Sequence, residues 1–324
     1  MFWLCAVLFA GQFETAFHDG LVALNHNNLA AAQAQLESAS KLEPRDPRVW
    51  LALAQTYRKL SKVDLAAAAV RNAEAFAADA PLFKALAIYY SEAGDSAKAA
   101  EMLRSAIGRN AYDEGSYFDL AQLYLKQQDF ANALTALDAG RRIFDKSAQL
   151  ELAAGVAYYG LRRFPEAIAA FLRTVAIDSS VEQPYLFLGR MLDQAESNLP
   201  RIHAVFAAFA QRAPDSYLSN FLYGKLLSLE GSKDAGRYLR KSIQVNGQFW
   251  ESHFELGALL DRRGEYVEAA QEIRRSTELN PEDAAAHYRL ARLYDRLGKP
   301  AEAAAERQLH ARLTSSASGM PGIK

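Results

Sequence analysis

Leu256-Gly257-Ala258-Leu259-Leu260-Asp261-Arg262-Arg263-Gly264 is followed by Ala269, Ile273 and Pro281. The same marks return at Leu290-Ala291, Tyr294, Gly298, Ala303 and Arg307. From 256 to 290, from 264 to 298 and from 269 to 303 the step is 34 residues. A recurrence of that length is one helix–turn–helix unit. Such a unit cannot bury its apolar face alone, so it must stack on its neighbours.

Outward from this pair the same cluster recurs. Trp50, Leu53, Ala54, Tyr57, Ala66, Val70 and Ala73 form one unit, and Phe83, Leu86, Ala87, Tyr90, Gly94, Ala99, Leu103 and Ala106 the next. Tyr117, Leu120, Ala121, Tyr124, Ala133 and Leu137 follow, then Gly155, Tyr158, Ala167 and Phe171. A first unit reads Gly20, Ala32, Leu36, Ala39 and Pro44. The middle is weaker. Leu188-Gly189 and Leu192 open a unit whose second helix, near Phe206 and Phe209, is out of register. Tyr223-Gly224, Leu227, Gly231, Ala235 and Leu239 form a unit one residue short. The pattern therefore predicts an all-α, right-handed superhelical solenoid of about nine stacked units. Its expected organisation is an apolar segment over 1–12, the solenoid over 13–313 and a disordered tail over 314–324.

The repeated residue types have physical reasons. Gly20, Gly155, Gly189, Gly224 and Gly257 fall where the two helices of a unit cross, and a small side chain there lets the backbones approach. Ala32, Ala66, Ala99, Ala133, Ala167, Ala269 and Ala303 face them from the second helix. Gly94, Gly231, Gly264 and Gly298 fall at the turn between helices, where positive φ is often needed. Pro44 and Pro281 follow second helices and stop them.

The pattern Trp-x2-Leu-Gly-x2-Tyr, Ala-x3-Phe, Pro resembles that of the tetratricopeptide repeat family. The resemblance implies a groove lined by first helices in which a protein or peptide partner binds. Carried onto this chain, it predicts groove residues Phe118, Gln122, Leu152, Tyr159, Phe187, Arg190, Phe221, Lys225, Phe254, Arg289 and Arg292. The mix of aromatic and basic residues suits apolar anchors beside a basic zone at Arg190, Lys225, Arg289 and Arg292. The alternative is that these aromatics serve repeat stacking. The family's carboxylate clamp of Lys, Asn and Arg is not evident, since its early positions hold Phe17, Leu21, Leu51 and Gln55.

Catalytic constellations do not emerge. None of the six histidines sits in a His-Glu-x-x-His zinc motif, and His253 and His287 occupy the repeat position of Trp50, which reads as packing. Gly231-Ser232-Lys233-Asp234-Ala235-Gly236 has phosphate-loop glycine spacing, but Arg237 and Tyr238 follow it and no strand precedes it. Cys5 is the sole cysteine, which excludes an intrachain disulfide and a thiolate metal cluster. The net charge of −1, from 37 basic and 38 acidic residues, argues against a nucleic-acid binder. No cofactor is expected.

Phe2-Trp3-Leu4-Cys5-Ala6-Val7-Leu8-Phe9-Ala10 reads either as the apolar core of a signal peptide or as a cap on the first unit. Export would make the protein periplasmic or secreted; otherwise it is cytoplasmic. No transmembrane span is expected, and self-association through the apolar run is a further alternative. The leading functional expectation is a non-catalytic scaffold binding a partner in the groove. The alternatives are an exported bacterial envelope assembly or regulatory factor and, last, a repeat-containing transferase. Any hidden active site would fall in the irregular stretch from Gln194 to Arg201.

Overall fold

The computed structural model describes the backbone of residues 2–318 and the side chains of residues 11–315. Among the described residues there are eighteen α-helices and no strand, two helices for each of the nine expected repeats. The chain divides after Arg162 into two compact units.

Unit one contains α1 (Phe2–Asn25), α2 (Leu29–Leu42), α3 (Pro47–Lys59), α4 (Val63–Phe76), α5 (Ala80–Glu92), α6 (Ser96–Arg109), α7 (Glu114–Lys126), α8 (Phe130–Arg141) and α9 (Ala148–Gly160). Unit two contains α10 (Phe164–Ile177), α11 (Gln183–Arg190), α12 (Leu199–Arg212), α13 (Tyr217–Leu229), α14 (Ala235–Val245), α15 (Trp250–Arg263), α16 (Tyr266–Leu279), α17 (Ala284–Arg296) and α18 (Pro300–Ser318). In unit one α1 packs on α2, α3 on α4, α5 on α6 and α7 on α8, in unit two α13 on α14, α15 on α16 and α17 on α18, and within each unit each second helix packs on the next first helix. The exception is α11, which ends after eight residues and continues through two 3-10 turns, Leu192–Gln194 and Glu196–Asn198.

Helix starts are capped locally. The side chains of Asp79, Asp95, Asp129 and Ser147 each accept a backbone N–H three residues on. The turns share a second device. Asn27, Ser61, Gly94, Gln128, Arg162, Gly231, Gly264 and Gly298 all have φ between +57° and +83°. They occupy one repeat position, so four of eight left-handed turns use a residue other than glycine. Next to seven of them, a backbone N–H reaches a carbonyl five residues back at 2.8–3.0 Å, for example Lys62 to Tyr57 and Glu265 to Leu260. That bond closes the helix end.

Glycines at the crossing were expected to face alanines, and the nearest side chains to two of them are larger. A Cβ on Gly20 would lie 2.7 Å from Leu36, and one on Gly257 would lie 2.6 Å from Ile273. The facing alanines Ala32, Ala66, Ala99, Ala133, Ala167, Ala235, Ala269 and Ala303 are buried. Burial of each large side chain between them contributes about 1.5–3 kcal/mol.

A second regularity was not read from the sequence. The fourth position of several first helices sends a polar group to the carbonyl six residues earlier. Trp50 Nε1 donates to Pro44 O at 2.8 Å, Tyr185 Oη to Ser179 O at 3.0 Å and Asn220 Nδ2 to Pro214 O at 2.8 Å. His253 and His287 point Nε2 at Gly247 O and Pro281 O, at 3.3 and 3.0 Å. Their Nδ1 atoms face Glu272 and Glu306 on the second helix, at 2.6 and 2.5 Å. Glu151, at the same position, cannot donate; it accepts from Arg141 Nε at 2.9 Å in a buried ion pair. At Trp50, Tyr185, Asn220, His253 and His287 this position ties the repeat to the loop that enters it.

Two boundaries differ from expectation. α1 is continuous from Phe2, with no break at residue 12, because nothing between the apolar run and Phe13 terminates a helix. α18 runs to Ser318, so the tail expected from 314 begins as helix; Met320-Pro321-Gly322 lie outside the described residues, as do the side chains of 1–10.

Candidate protein-binding faces

In unit one, α1, α3 and α5 bring Phe17, Leu21, Leu51, Gln55, Leu82 and Ala85 around a cavity of about 740 Å³. These are the positions where the family's clamp would stand, and here they are almost wholly apolar. Arg48 closes one side. Its guanidinium lies 5.2 Å from the Phe17 ring centre and pairs with Asp46 at 2.5 Å and with Glu14 at 3.9 Å. Burial pushes the Asp46 carboxyl up, but the hydrogen bonds and charge of Arg48 outweigh it and hold the group below its usual range. The same carboxylate accepts the Arg48 backbone N–H at 2.9 Å, so one residue both starts α3 and fixes the rim.

Of the expected groove residues in unit one, Gln122 lines a smaller cavity of about 250 Å³ with Lys84, Ile88 and Asp119. Lys84 is held between Asp113 at 3.2 Å and Asp119 at 3.5 Å. Phe118 packs against the hydrophobic core, which leaves it half-buried. Leu152 and Tyr159 are half-buried on α9.

Unit two arranges its share differently. Phe187 stacks on Phe171 of α10, with ring centres 4.7 Å apart and planes 8° from parallel. Phe221 is buried and meets Phe249 edge-on at 5.0 Å. Both rings serve packing between repeats. Phe254 is half-buried beneath Arg289, whose guanidinium sits 5.4 Å from the ring centre. Arg190 and Arg292 are exposed, with Arg292 over Tyr288.

The expected basic zone is not uniformly basic. Lys225 pairs with Glu255 at 3.4 Å and Arg289 with Asp261 at 3.5 Å. Arg296 also reaches Asp261. Each bridge joins consecutive first helices, so the face is a ladder of alternating charge. Sequence reasoning selected the cations and missed Glu255 and Asp261. Their signal was available, since both lie on first helices within one repeat of the cations.

Glu251 was missed as well. It opens α15, and its Oε2 is buried without a hydrogen-bond partner. Burial raises its carboxyl above the usual range, against the pull of Arg190 and Lys225. Among the described residues no group of three His, Cys, Asp or Glu side chains is placed to hold a metal ion.

Tetratricopeptide repeat models match residues 20–81, 84–148 and 118–182, and a second model of the same description matches 273–305. The chain belongs to the tetratricopeptide repeat family. Repeats of this kind make protein–protein interaction scaffolds in general. Among solved structures the chain resembles the C-terminal part of a repeat-containing protein from Cytophaga hutchinsonii, at 17% identity and a TM-score of 0.54, covering 85% of this chain and 99% of that one. It also resembles a chain of the APC/C hetero-tetramer Cut9–Hcn1, at 15% identity and a TM-score of 0.50, covering 92% of this chain and 57% of that one. These likenesses speak for the fold. No curated protein matches the chain. No described helix is long and apolar enough to cross a membrane.

Proposed function

We propose that the protein is a non-catalytic adaptor that holds an apolar segment of a partner protein on the first-helix face of unit one. The observation that carries this reading is the cavity of about 740 Å³ walled by α1, α3 and α5. Its size falls within the range of pockets that enclose several side chains. Phe17, Leu21, Leu51 and Leu82 offer apolar contact, Gln55 supplies an amide to orient a peptide backbone, and Glu43, Arg45 and Asp79 also line the space. Arg48, already anchored by Asp46, stands ready to meet a polar group at the rim.

The ion-paired ladder of unit two supports a different task on its own face, the alignment of a partial-charge pattern along Phe254 and Arg292. Lys225 and Arg289 already have carboxylate partners there, so a ligand would exchange one pair for another and gain little net affinity.

The test uses a plug. Ala85 lines the cavity and is half-buried, so Ala85→Trp fills the space from its wall. Peptides enriched from a random library on the wild-type protein should lose about tenfold or more in affinity for the plugged variant, as steric exclusion removes their anchor. Equal affinity, with an unchanged melting temperature, would overturn the reading.

A further inference from the structure

Each unit has its own furrow made by successive second helices and the first helix between them, and the two furrows differ in kind. In unit one it lies among α6, α7 and α8. It encloses about 240 Å³ and is walled by Ile107, Tyr117, Leu120, Tyr124 and Ala136. Its one charge among the described residues is Arg104, which donates to Tyr124 Oη. In unit two the furrow lies among α12, α13 and α14. It encloses about 590 Å³, and Gln211, Asn220, Arg237, Arg240, Lys241 and Gln244 line it. No carboxylate lines it among the described residues.

The charge is concentrated by helix geometry. Residues 237, 240, 241 and 244 follow the i, i+3, i+4, i+7 spacing of one helix face. α14 thus presents three cations and an amide along a single stripe, with no acidic residue anywhere in its sequence. The opposite stripe, Ala235, Leu239 and Ser242, is buried. A chain whose net charge is −1 has gathered its positive charge here locally.

The cations are held without being saturated. Arg237 lies over the Tyr238 ring at 5.4 Å, which fixes its plane. Arg240 pairs with Glu268 at 2.8 Å, with both side chains nearly half exposed. Lys241 pairs with Asp215 at 3.2 Å, and that aspartate is 86% exposed. These pairs are more exposed than Lys225–Glu255 and Arg289–Asp261, so an incoming anion loses less by replacing them.

We propose that this furrow is a second binding site, for an acidic segment of a partner protein, on a face distinct from the cavity of unit one. Three cations are too few for the phosphate tracking that nucleic acid requires. The volume exceeds what a single small anion fills, and the amides of Gln211 and Gln244 match the donors and acceptors of a peptide backbone. The chain would then carry two partners, or two segments of one, on opposite chemistries.

The test uses the full chain and a fluorescein-labelled, C-terminally amidated hexaglutamate, read by anisotropy. Saturable binding that weakens steeply with salt is expected, and none to hexaserine. Arg237→Glu with Lys241→Glu should weaken it about tenfold or more, and Arg237→Gln with Lys241→Gln by a smaller factor in the same direction. Lys41→Glu with Arg71→Glu changes the net charge equally within unit one and should leave binding within about twofold. Ala85→Trp should leave it unchanged, which separates this site from the adaptor cavity. The proposal fails if hexaglutamate does not bind saturably or if both reversals weaken it equally. It fails also if inorganic phosphate competes as strongly as the peptide, which would make the furrow a simple anion site.

Discussion

The repeat α11–α12 and the repeat α15–α16 carry the same marks, a glycine on the first helix and a buried residue facing it on the second, yet they close differently. In α15–α16, Gly257 sits against its own second helix, where an added Cβ would meet Ile273 at 2.6 Å and the Ala269 carbonyl at 3.1 Å. In α11–α12 the corresponding Gly189 faces the next first helix, where an added Cβ would collide with Leu222. The difference goes with one residue. Where the other repeats place alanine on the second helix, α12 buries Ile202. No α12 atom lies within 4 Å of a Cβ placed on Gly189, so this glycine makes no close crossing with its own second helix. α11 stops at Arg190, and the chain bridges to α12 by 3-10 turns. The left-handed turn is distorted too: Glu196 has φ of only +27°. A close crossing needs a small residue on both helices, and one alone does not suffice.

The largest expected effect comes from exchanging the two facing residues. Ile202→Ala empties a site that has no exposure and should cost about 3 kcal/mol, as large-to-small core changes do. Ala269→Ile should cost about 2 kcal/mol by overpacking against Gly257. Urea denaturation followed by circular dichroism reads both. If Ile202→Ala were neutral or stabilising, the irregular repeat could close in the regular way, and Ile202 would not be the cause of its shape.

That contrast also marks how far the sequence could be read. The period, the glycines at crossings and the alanines facing them were legible because each has a single steric role. The slip near Phe206 was visible as lost register, and the shortened repeat was visible from Tyr223 to Leu239. The left-handed turns at Asn27, Ser61, Gln128 and Arg162 were not, since these residue types do not announce positive φ as glycine does. The fourth-position bond was hidden for another reason. Trp50, Tyr185, Asn220 and His287 have little in common except a donor at a similar reach, and that is a property of geometry. The binding faces were legible least. Aromatic residues such as Phe187 and Phe221 satisfy a groove pattern and a stacking pattern equally, and both rings make contacts between repeats.

A regular repeat and the irregular one also differ in how strongly that fourth position is tied, which gives a smaller test. In α17, His287→Phe keeps the ring but removes bonds to Pro281 O and Glu306, and strands a half-buried carboxylate. The expected cost is about 2 kcal/mol. In α11, Tyr185→Phe removes the bond to Ser179 O and a longer one accepted from Arg212 at 3.2 Å, but Arg212 still donates to that carbonyl at 2.6 Å. The expected cost is about 0.5 kcal/mol. Comparable losses in the two variants would show that the carboxylate adds nothing and that the loop carbonyl alone sets the energy.

The smallest effect asks whether the regular region carries a defect of its own. Glu251 opens α15 with a buried oxygen that nothing donates to, and its carboxyl is raised above its ordinary value by burial. Were Arg190 and Lys225 dominant, the shift would be downward, so desolvation outweighs their attraction. The sign of the linkage follows. A carboxyl easier to protonate in the folded state than in the unfolded one favours folding at low pH. That favour is complete below the unfolded value and is lost as pH rises through the folded one. At neutral pH the ionised group therefore opposes folding. Glu251→Gln keeps the shape and removes the charge, so its melting temperature should exceed the wild-type value at pH 7 and converge with it at pH 4. A lower melting temperature at pH 7 would mean that the two cations need this carboxylate, and that the charge ladder of unit two begins at Glu251 and not at Glu255.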